Sequence, residues 1–314
     1  MSAYWRVGAW KGVHVKPGAE LLEATCEPIF AAAVGAGGLL DDGRRQCQQP
    51  PSVPIAGQTG EAIILTVIVP VYNEGTTVGE LLQRVLAAPY AKQVLVIDDG
   101  STDGTADVLN RWQGHSKVEV LRHGKNRGKG AAIRTALGRA CGRFTIIQDA
   151  DLEYDPADYV RLIEPLVRGE AHVVYGSRYL GSVANRRYGC RLLRYGVGLL
   201  NLWVRLLYGV RLTDEATCYK AFPTALLRAL ALECERFEFC PEVTAKLCRL
   251  GLAIHEVPIR YQARGVQAGK KIRLWDGLQA CAILWRWRRW RPSGVHEPAR
   301  AAKISRLYTG AQGR

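Results

Sequence analysis

From Ile63 onward the chain alternates short apolar runs with longer amphipathic stretches, and that rhythm predicts most of its elements. Ile63-Ile64-Leu65-Thr66-Val67-Ile68-Val69 is an unbroken β-branched and aliphatic run that stops at Pro70, the pattern of a strand buried on both faces. Val78, Leu81, Leu82, Val85 and Leu86 then fall on one helical stripe. Residues 93–97 predict a second strand, 102–112 a helix, 118–121 a third strand and 130–140 a third helix. A fourth strand is predicted over 144–148 and, after another helix, a fifth over 172–175. Strands alternating with helices in this way imply right-handed βαβ crossovers, an α/β class and a mostly parallel central sheet flanked by helices.

Ligands of such sheets bind beyond the carboxyl ends of the strands. Here four predicted strand ends carry polar residues: Pro70-Val71-Tyr72-Asn73-Glu74, Asp98-Asp99-Gly100-Ser101, Asp149-Ala150-Asp151 and Gly176-Ser177-Arg178. Asp149, Asp151 and Glu153 are spaced i, i+2, i+4, which in extended backbone puts three carboxylates on one side. Such hard oxygens suit Mg²⁺ or Mn²⁺, with water and a ligand phosphate completing the shell. The plain alternative is a solvated acidic turn. Asp98 to Thr105 reads partly as a capped turn. Capping does not call for two consecutive carboxylates, so Asp99 is assigned to a nucleoside, with Tyr72 and Glu74 completing its pocket. The basic segment 122–130 is not a P-loop, because Gly128-Lys129 is followed by Gly130. It reads either as a structural loop or as a helix start offering N–H groups to phosphate. A dinucleotide cofactor is disfavoured, since no G-x-G-x-x-G follows the first strand.

Charge changes the picture next. Lys plus Arg number 43 against 29 Asp plus Glu, a formal net charge of +14, which favours polyanionic partners such as phosphorylated ligands or anionic lipid. Nine cysteines, with no C-x-x-C pair, read as reduced thiols of a cytoplasmic protein. Residues 195–210 form the most hydrophobic long stretch, yet Asn201 and Arg205 interrupt it, and it falls short of the roughly 20 apolar residues of a spanning helix.

Together the four strand-end motifs resemble glycosyltransferase family 2, inverting enzymes of GT-A fold, and most closely its dolichyl- and polyprenyl-phosphate hexose synthases. The resemblance covers residues 65–290. It implies nucleotide-sugar contacts at Pro70, Tyr72, Glu74, Ile97, Asp99, Asp149, Ala150 and Asp151, and a metal on Asp151 with Asp149 and Glu153 nearby. The family often has Gln at the position of Glu153. Arg178 corresponds to a phosphate-contacting arginine, residues 212–220 to an acceptor-side segment, and Arg264 and Lys270 to basic residues that close over the diphosphate. Asp151, Asp149 and Arg178 would then carry catalysis by stabilising the leaving nucleoside diphosphate. The implied donor is a GDP-mannose or UDP-glucose type of nucleotide sugar. The implied acceptor is polyprenyl or dolichyl phosphate, an anion that needs no strong general base. Arg178, Arg191 and Arg194 are candidates to hold its phosphate. Were the acceptor a saccharide hydroxyl instead, Asp214 is the candidate base.

The resulting organisation is an extension over 1–60, poorly ordered and rich in Pro, Gly and Ala; a catalytic domain over 61–270; a basic tryptophan-rich helix over 271–291; and a flexible basic tail over 292–314. In that helix Trp275, Leu278, Ala282 and Trp285 share a face, and from Arg260 to Arg291 nine Lys or Arg stand against one Asp. Tryptophan interleaved with arginine suits the interface of an anionic bilayer, with residues 199–207 as a partner helix and the protein peripherally attached. A core-packing helix with a solvated basic end is the alternative. No nucleic-acid partner is expected. A non-catalytic lipid-binding protein would account for the charge but not for the aligned acidic strand ends. A glycoside hydrolase would not need nucleotide-pocket residues on the first two strands.

Overall fold

The computed structural model describes residues 64–180, 191–263 and 274–291, all within the unit Pro54–Arg314. Its centre is a seven-stranded sheet. The strands are β1 (Leu65–Val71), β2 (Lys92–Asp98), β3 (Val118–Arg122), β4 (Phe144–Ile147), β5 (Val174–Ser177), β6 (Lys220–Pro223) and β7 (His255–Pro258). The helices are α1 (Val78–Ala87), α2 (Thr105–Asn110), α3 (Lys129–Leu137), α4 (Tyr159–Val167), α5 (Arg191–Tyr208), α6 (Thr224–Ala229), α7 (Phe239–Arg249) and α8 (Leu274–Trp287).

In space the strands run β3-β2-β1-β4-β6-β5-β7. All neighbouring pairs are parallel except those of β6, which lies antiparallel between β4 and β5. The predicted α/β class and parallel majority are therefore present. The apolar rhythm did not announce β6 and β7. Neither presents an unbroken apolar run: β6 begins with a lysine and β7 with His255-Glu256, and both end in proline. β5 sits two residues later than predicted, at Val174–Ser177, and so carries Gly176 and Ser177 into the sheet.

Burial explains the continuous runs. In β1, Leu65, Val67, Val69 and Val71 face a core shared with α1 and α4, while Ile68 faces a second core shared with α3, α5, α7 and α8. A strand covered on both faces has no position for a polar side chain that lacks a partner. Thr66 is buried too, and its hydroxyl donates to Gln93 Oε1 at 3.0 Å. The helices hold the strand tips in place, and the tips carry the polar groups.

Candidate active site

The loops that leave β1, β2 and β3 are bound to one another. Asn73, with φ of 53°, donates its backbone N–H to Ser101 Oγ at 3.0 Å, and Asn73 Oδ1 accepts from Thr102 N at 2.8 Å. Glu74 N donates to Thr105 Oγ1 at 2.9 Å, and Glu74 Oε2 accepts from Thr77 Oγ1 at 3.0 Å. Tyr72 and Pro70 lie on the same tip, and Pro70 pairs in register with Ile97.

Asp98 and Asp99 divide the work at the end of β2. Asp98 Oδ1 accepts from Ser101 N at 3.0 Å and so closes the turn. Asp99, the sequence's candidate for a nucleoside contact, has both its oxygens engaged within the chain. Oδ1 faces His123 Nδ1 at 2.6 Å and accepts from Arg127 N at 2.9 Å, while Oδ2 accepts from Gly128 N at 2.7 Å. The buried carboxylate thereby fixes the basic loop and the start of α3. Two glycines permit this approach. A Cβ on Gly100 (φ +73°) would lie 2.6 Å from the carbonyl carbon of Lys125, and one on Gly128 (φ +96°) would collide with the carbonyl oxygen of Glu235.

That anchored loop delivers a residue to which the sequence reading gave no role. Lys129, first residue of α3, reaches Asp149 with its ammonium, which also lies 3.0 Å from Cys218 Sγ. Burial works against the Lys129 charge, but Asp149 and the neighbouring thiols outweigh it and hold the pKa above the ordinary lysine value. A lysine flanked by two glycines where a helix begins was the available signal.

The three acidic residues after β4 do not form the row that extended backbone would give. β4 ends at Ile147, and Leu152 adopts a left-handed φ of 61°, which turns the chain between Asp151 and Glu153. Asp149 faces Lys129, and Asp151 Oδ1 accepts from Glu153 N at 3.1 Å. Glu153 Oε2 accepts from Tyr261 Oη at 2.7 Å, alongside the Tyr154–Tyr261 bridge. Among the described residues no group of three His, Cys, Asp or Glu side chains is arranged to hold a metal. Asp149 and Asp151 remain together at the tip of β4, with Ala150 buried between them.

Arg178, just past β5, is gripped by Asp214. Its backbone N donates to Asp214 Oδ2 at 3.0 Å, Nε to Oδ2 at 2.8 Å and Nη2 to Oδ1 at 2.7 Å. Tyr261 lies under the guanidinium, with its ring centroid at 5.1 Å. Burial opposes the arginine's charge and Asp214 more than restores it, so the guanidinium stays firmly protonated. Asp214, the candidate base for a hydroxyl acceptor, is fully buried, and the Arg178 guanidinium engages both its oxygens. Glu256 supports the segment beneath, accepting from Asp214 N at 3.0 Å and Thr213 N at 2.8 Å. Asn201 of α5 clamps the same segment, donating to Thr213 O at 2.8 Å and accepting from Glu215 N at 2.9 Å.

Beside Arg178 lies a cavity of about 510 Å³ lined by Tyr179, Thr213 and the α5 residues Arg194, Tyr195 and Asn201, among others. Arg191 opens α5, while Arg264 and Lys270 lie outside the described residues. The site thus has two halves: an acidic tip with a lysine, and a cavity lined by Arg194. The first suits a diphosphate with its cation, the second a smaller anion.

Residues 66–234 match the family model for glycosyl transferase family 2. The chain is 28% identical over 219 residues to a dodecaprenyl-phosphate galacturonate synthase of Rhizobium johnstonii, covering 67% of this chain and 63% of that protein. It is 30% identical over 184 residues to an undecaprenyl-phosphate 4-deoxy-4-formamido-L-arabinose transferase of Pseudomonas fluorescens, covering 56% of this chain and 52% of that protein. The chain therefore spans between half and two thirds of the length of these relatives. The fold is similar to that of glucosyl-3-phosphoglycerate synthase from Mycobacterium tuberculosis, solved with Mn²⁺, UDP and phosphoglyceric acid. The TM-score is 0.56 at 20% identity, over 74% of this chain and 81% of that one.

Proposed function

The chain belongs to glycosyl transferase family 2, and from that premise we propose that it moves a sugar from a nucleotide-diphospho-sugar to a polyprenyl phosphate held at a membrane surface. The observation that carries the reading is that Tyr261 links the two halves: its hydroxyl donates to Glu153, two residues past Asp151, and its ring lies under Arg178, whose neighbour Tyr179 lines the Arg194 cavity. The relatives named for polyprenyl-phosphate substrates support the acceptor class. Their sugars are a galacturonate and a substituted aminoarabinose, so the donor reading widens from GDP-mannose or UDP-glucose to nucleotide sugars in general.

In this reading residues 61–270 form the catalytic domain, and the nucleoside lies along the tips of β1 and β2, against Pro70, Tyr72, Glu74 and Ile97. Asp99 serves it indirectly by fixing the loop that carries Lys129; the N–H groups of Gly130 and Ala131 at the start of α3 are taken by the carbonyls of Arg236 and Glu235 and not left for a phosphate. Asp149 and Asp151 offer a donor set suited to Mg²⁺ or Mn²⁺, because two carboxylates completed by diphosphate oxygens and water are an ordinary site for either ion. The ion would neutralise charge on the departing diphosphate. Glu153, turned toward Tyr261, is at most a remote third ligand. Lys129 keeps Asp149 compensated and stands ready to shift to a phosphate oxygen. Arg264 and Lys270 remain candidates for closing over the donor.

On the acceptor side, Arg178 is held by Asp214 next to Tyr179, which lines the cavity together with Arg194, a second cation. A phosphate placed there is already an anionic nucleophile, so the site needs orientation rather than proton removal. The engagement of Asp214 by Arg178 favours this acceptor over a sugar hydroxyl. The reading is tested by incubating the protein with Mn²⁺, undecaprenyl phosphate and a panel of radiolabelled UDP- and GDP-sugars. We expect one donor to give an organic-extractable product. Transfer only to water-soluble saccharides would replace the lipid acceptor, and no transfer from any donor would remove the proposal.

A further inference from the structure

The outward side of α5 is apolar where a helix on a protein surface is normally polar. Its inward residues Val197, Leu200 and Val204 are buried in the core. Its outward residues Tyr195, Leu199, Leu202 and Leu206, spaced four, three and four apart, are 75%, 57%, 48% and 67% exposed. α8 packs beside it: Trp203 Nε1 donates to Cys281 O at 3.1 Å, Tyr208 Oη donates to Leu284 O at 2.5 Å, and the Trp203 and Trp285 rings stack. α8 adds Leu278 and Trp285, 60% and 48% exposed, to the same pair of helices. Six of the ten large hydrophobic side chains exposed among the described residues thus come from these two helices. An apolar concentration of this kind marks an interaction surface.

Charge chooses the partner. Arg194, Arg205, Arg211, Arg286, Arg289 and Arg291 are exposed on or directly after the two helices, and Arg288 lies over the Trp285 ring at 3.6 Å. Asp276 is the only acidic residue in 191–211 and 274–291. No helix among the described residues is long and apolar enough to cross a membrane. Leucine and tryptophan rimmed by arginine, with almost no acid, match the interfacial layer of an anionic bilayer. A second copy of the chain would bring the same arginines against themselves.

We propose that the paired α5 and α8 faces dock on an anionic bilayer, with Tyr195 and Arg194 placing the cavity at the edge of the docked surface. The choice of a bilayer leans on the lipid-acceptor reading as well as on the arginines. The orientation has a consequence: a lipid phosphate reaches Arg194 sideways, along the leucines of α5, without leaving the interface.

The test is co-sedimentation of the full chain with vesicles of phosphatidylcholine alone or mixed with phosphatidylglycerol, at low and high salt. It is repeated with Leu199→Gln/Leu202→Gln/Leu206→Gln, whose side chains are exposed and lie outside the cavity. We expect binding to mixed vesicles only, weakened by salt, and a loss of roughly tenfold or more in partitioning for the triple variant. Transfer to a short, water-soluble prenyl phosphate should persist in that variant, whereas failure of the transferase reading would abolish it in wild type and variant alike. Equal binding to neutral vesicles, or full binding by the triple variant, would overturn the docking surface. So would a wild-type dimer in light scattering that the same substitutions dissolve, since the face would then be an interface between copies.

Discussion

Lys129 and Asp149 show how a cation of the chain can occupy a place that a metal-binding carboxylate was expected to keep open. Their contact is largely withdrawn from solvent, with side chains 13% and 18% exposed, so neither charge is inexpensive to leave alone. Lys129→Met should therefore raise the affinity of the nucleotide-free protein for Mn²⁺ by about tenfold, because an ammonium no longer competes for Asp149. Titration calorimetry reads this directly, and an unchanged affinity would take Asp149 out of the cation site. Asp151→Ala should lower turnover on the order of 10³-fold by removing leaving-group stabilisation. Near-normal turnover in that variant would contradict the proposed role of the β4 tip. Arg178→Lys is the third case: a lysine keeps the charge but loses the two-pronged grip on Asp214, so acceptor KM should rise while donor KM stays level.

Among the elements, the start of α3 matters most, because Asp99 holds it by two backbone N–H groups and it carries Lys129. Gly128 there combines φ of 96° with ψ of 161°, a conformation almost confined to glycine, and its missing Cβ makes room for Glu235. Gly128→Ala should cost about 2 kcal/mol or more of stability and weaken donor binding, as followed by thermal shift with and without nucleotide sugar. Unaltered melting would mean that α3 can start in another way. α8 has apolar residues on both its buried and its exposed side. Trp287 and Leu284 pack into the core, with Lys246 beneath the Trp287 ring at 4.1 Å, while Leu278 and Trp285 stay exposed.

For the whole molecule, one buried acid links stability to pH. Glu215 is fully buried, and Oε1 is the only buried side-chain polar atom without a hydrogen-bond partner among the described residues. Burial, opposed by Lys220, pushes its carboxyl up to about 7 from 4.5. The folded chain consequently holds a proton that the unfolded chain releases between these values. The stability this neutral form contributes is complete below about pH 4.5 and is lost as pH rises toward about 7. Glu215→Gln stays neutral throughout, so it should match wild type near about pH 4 and exceed it near about pH 8 by on the order of 3 kcal/mol. Urea unfolding at the two pH values checks this, and parallel curves would show that Glu215 is ionised in the fold at no cost.

Local pattern alone was sufficient for the doubly covered strands and for the carboxyl-end motifs, because burial on both faces demands unbroken apolar runs and strand tips are where polar residues are permitted. It determined the α/β class and the first five strands to within two residues, and it put Glu74, Asp99, Asp149, Asp151 and Arg178 just past strand ends. Side-chain pairing was decided only by tertiary structure. Lys129 meets Asp149 from 20 positions away, Arg178 meets Asp214 from 36, and Glu153 meets Tyr261 from 108. Such partners carry no periodic signal, since a hydrogen bond depends on where folding brings two atoms and not on their spacing along the chain. For the same reason the left-handed turn at Leu152, which parts Glu153 from the two aspartates, could not be read from an i, i+2, i+4 pattern that assumes the strand continues.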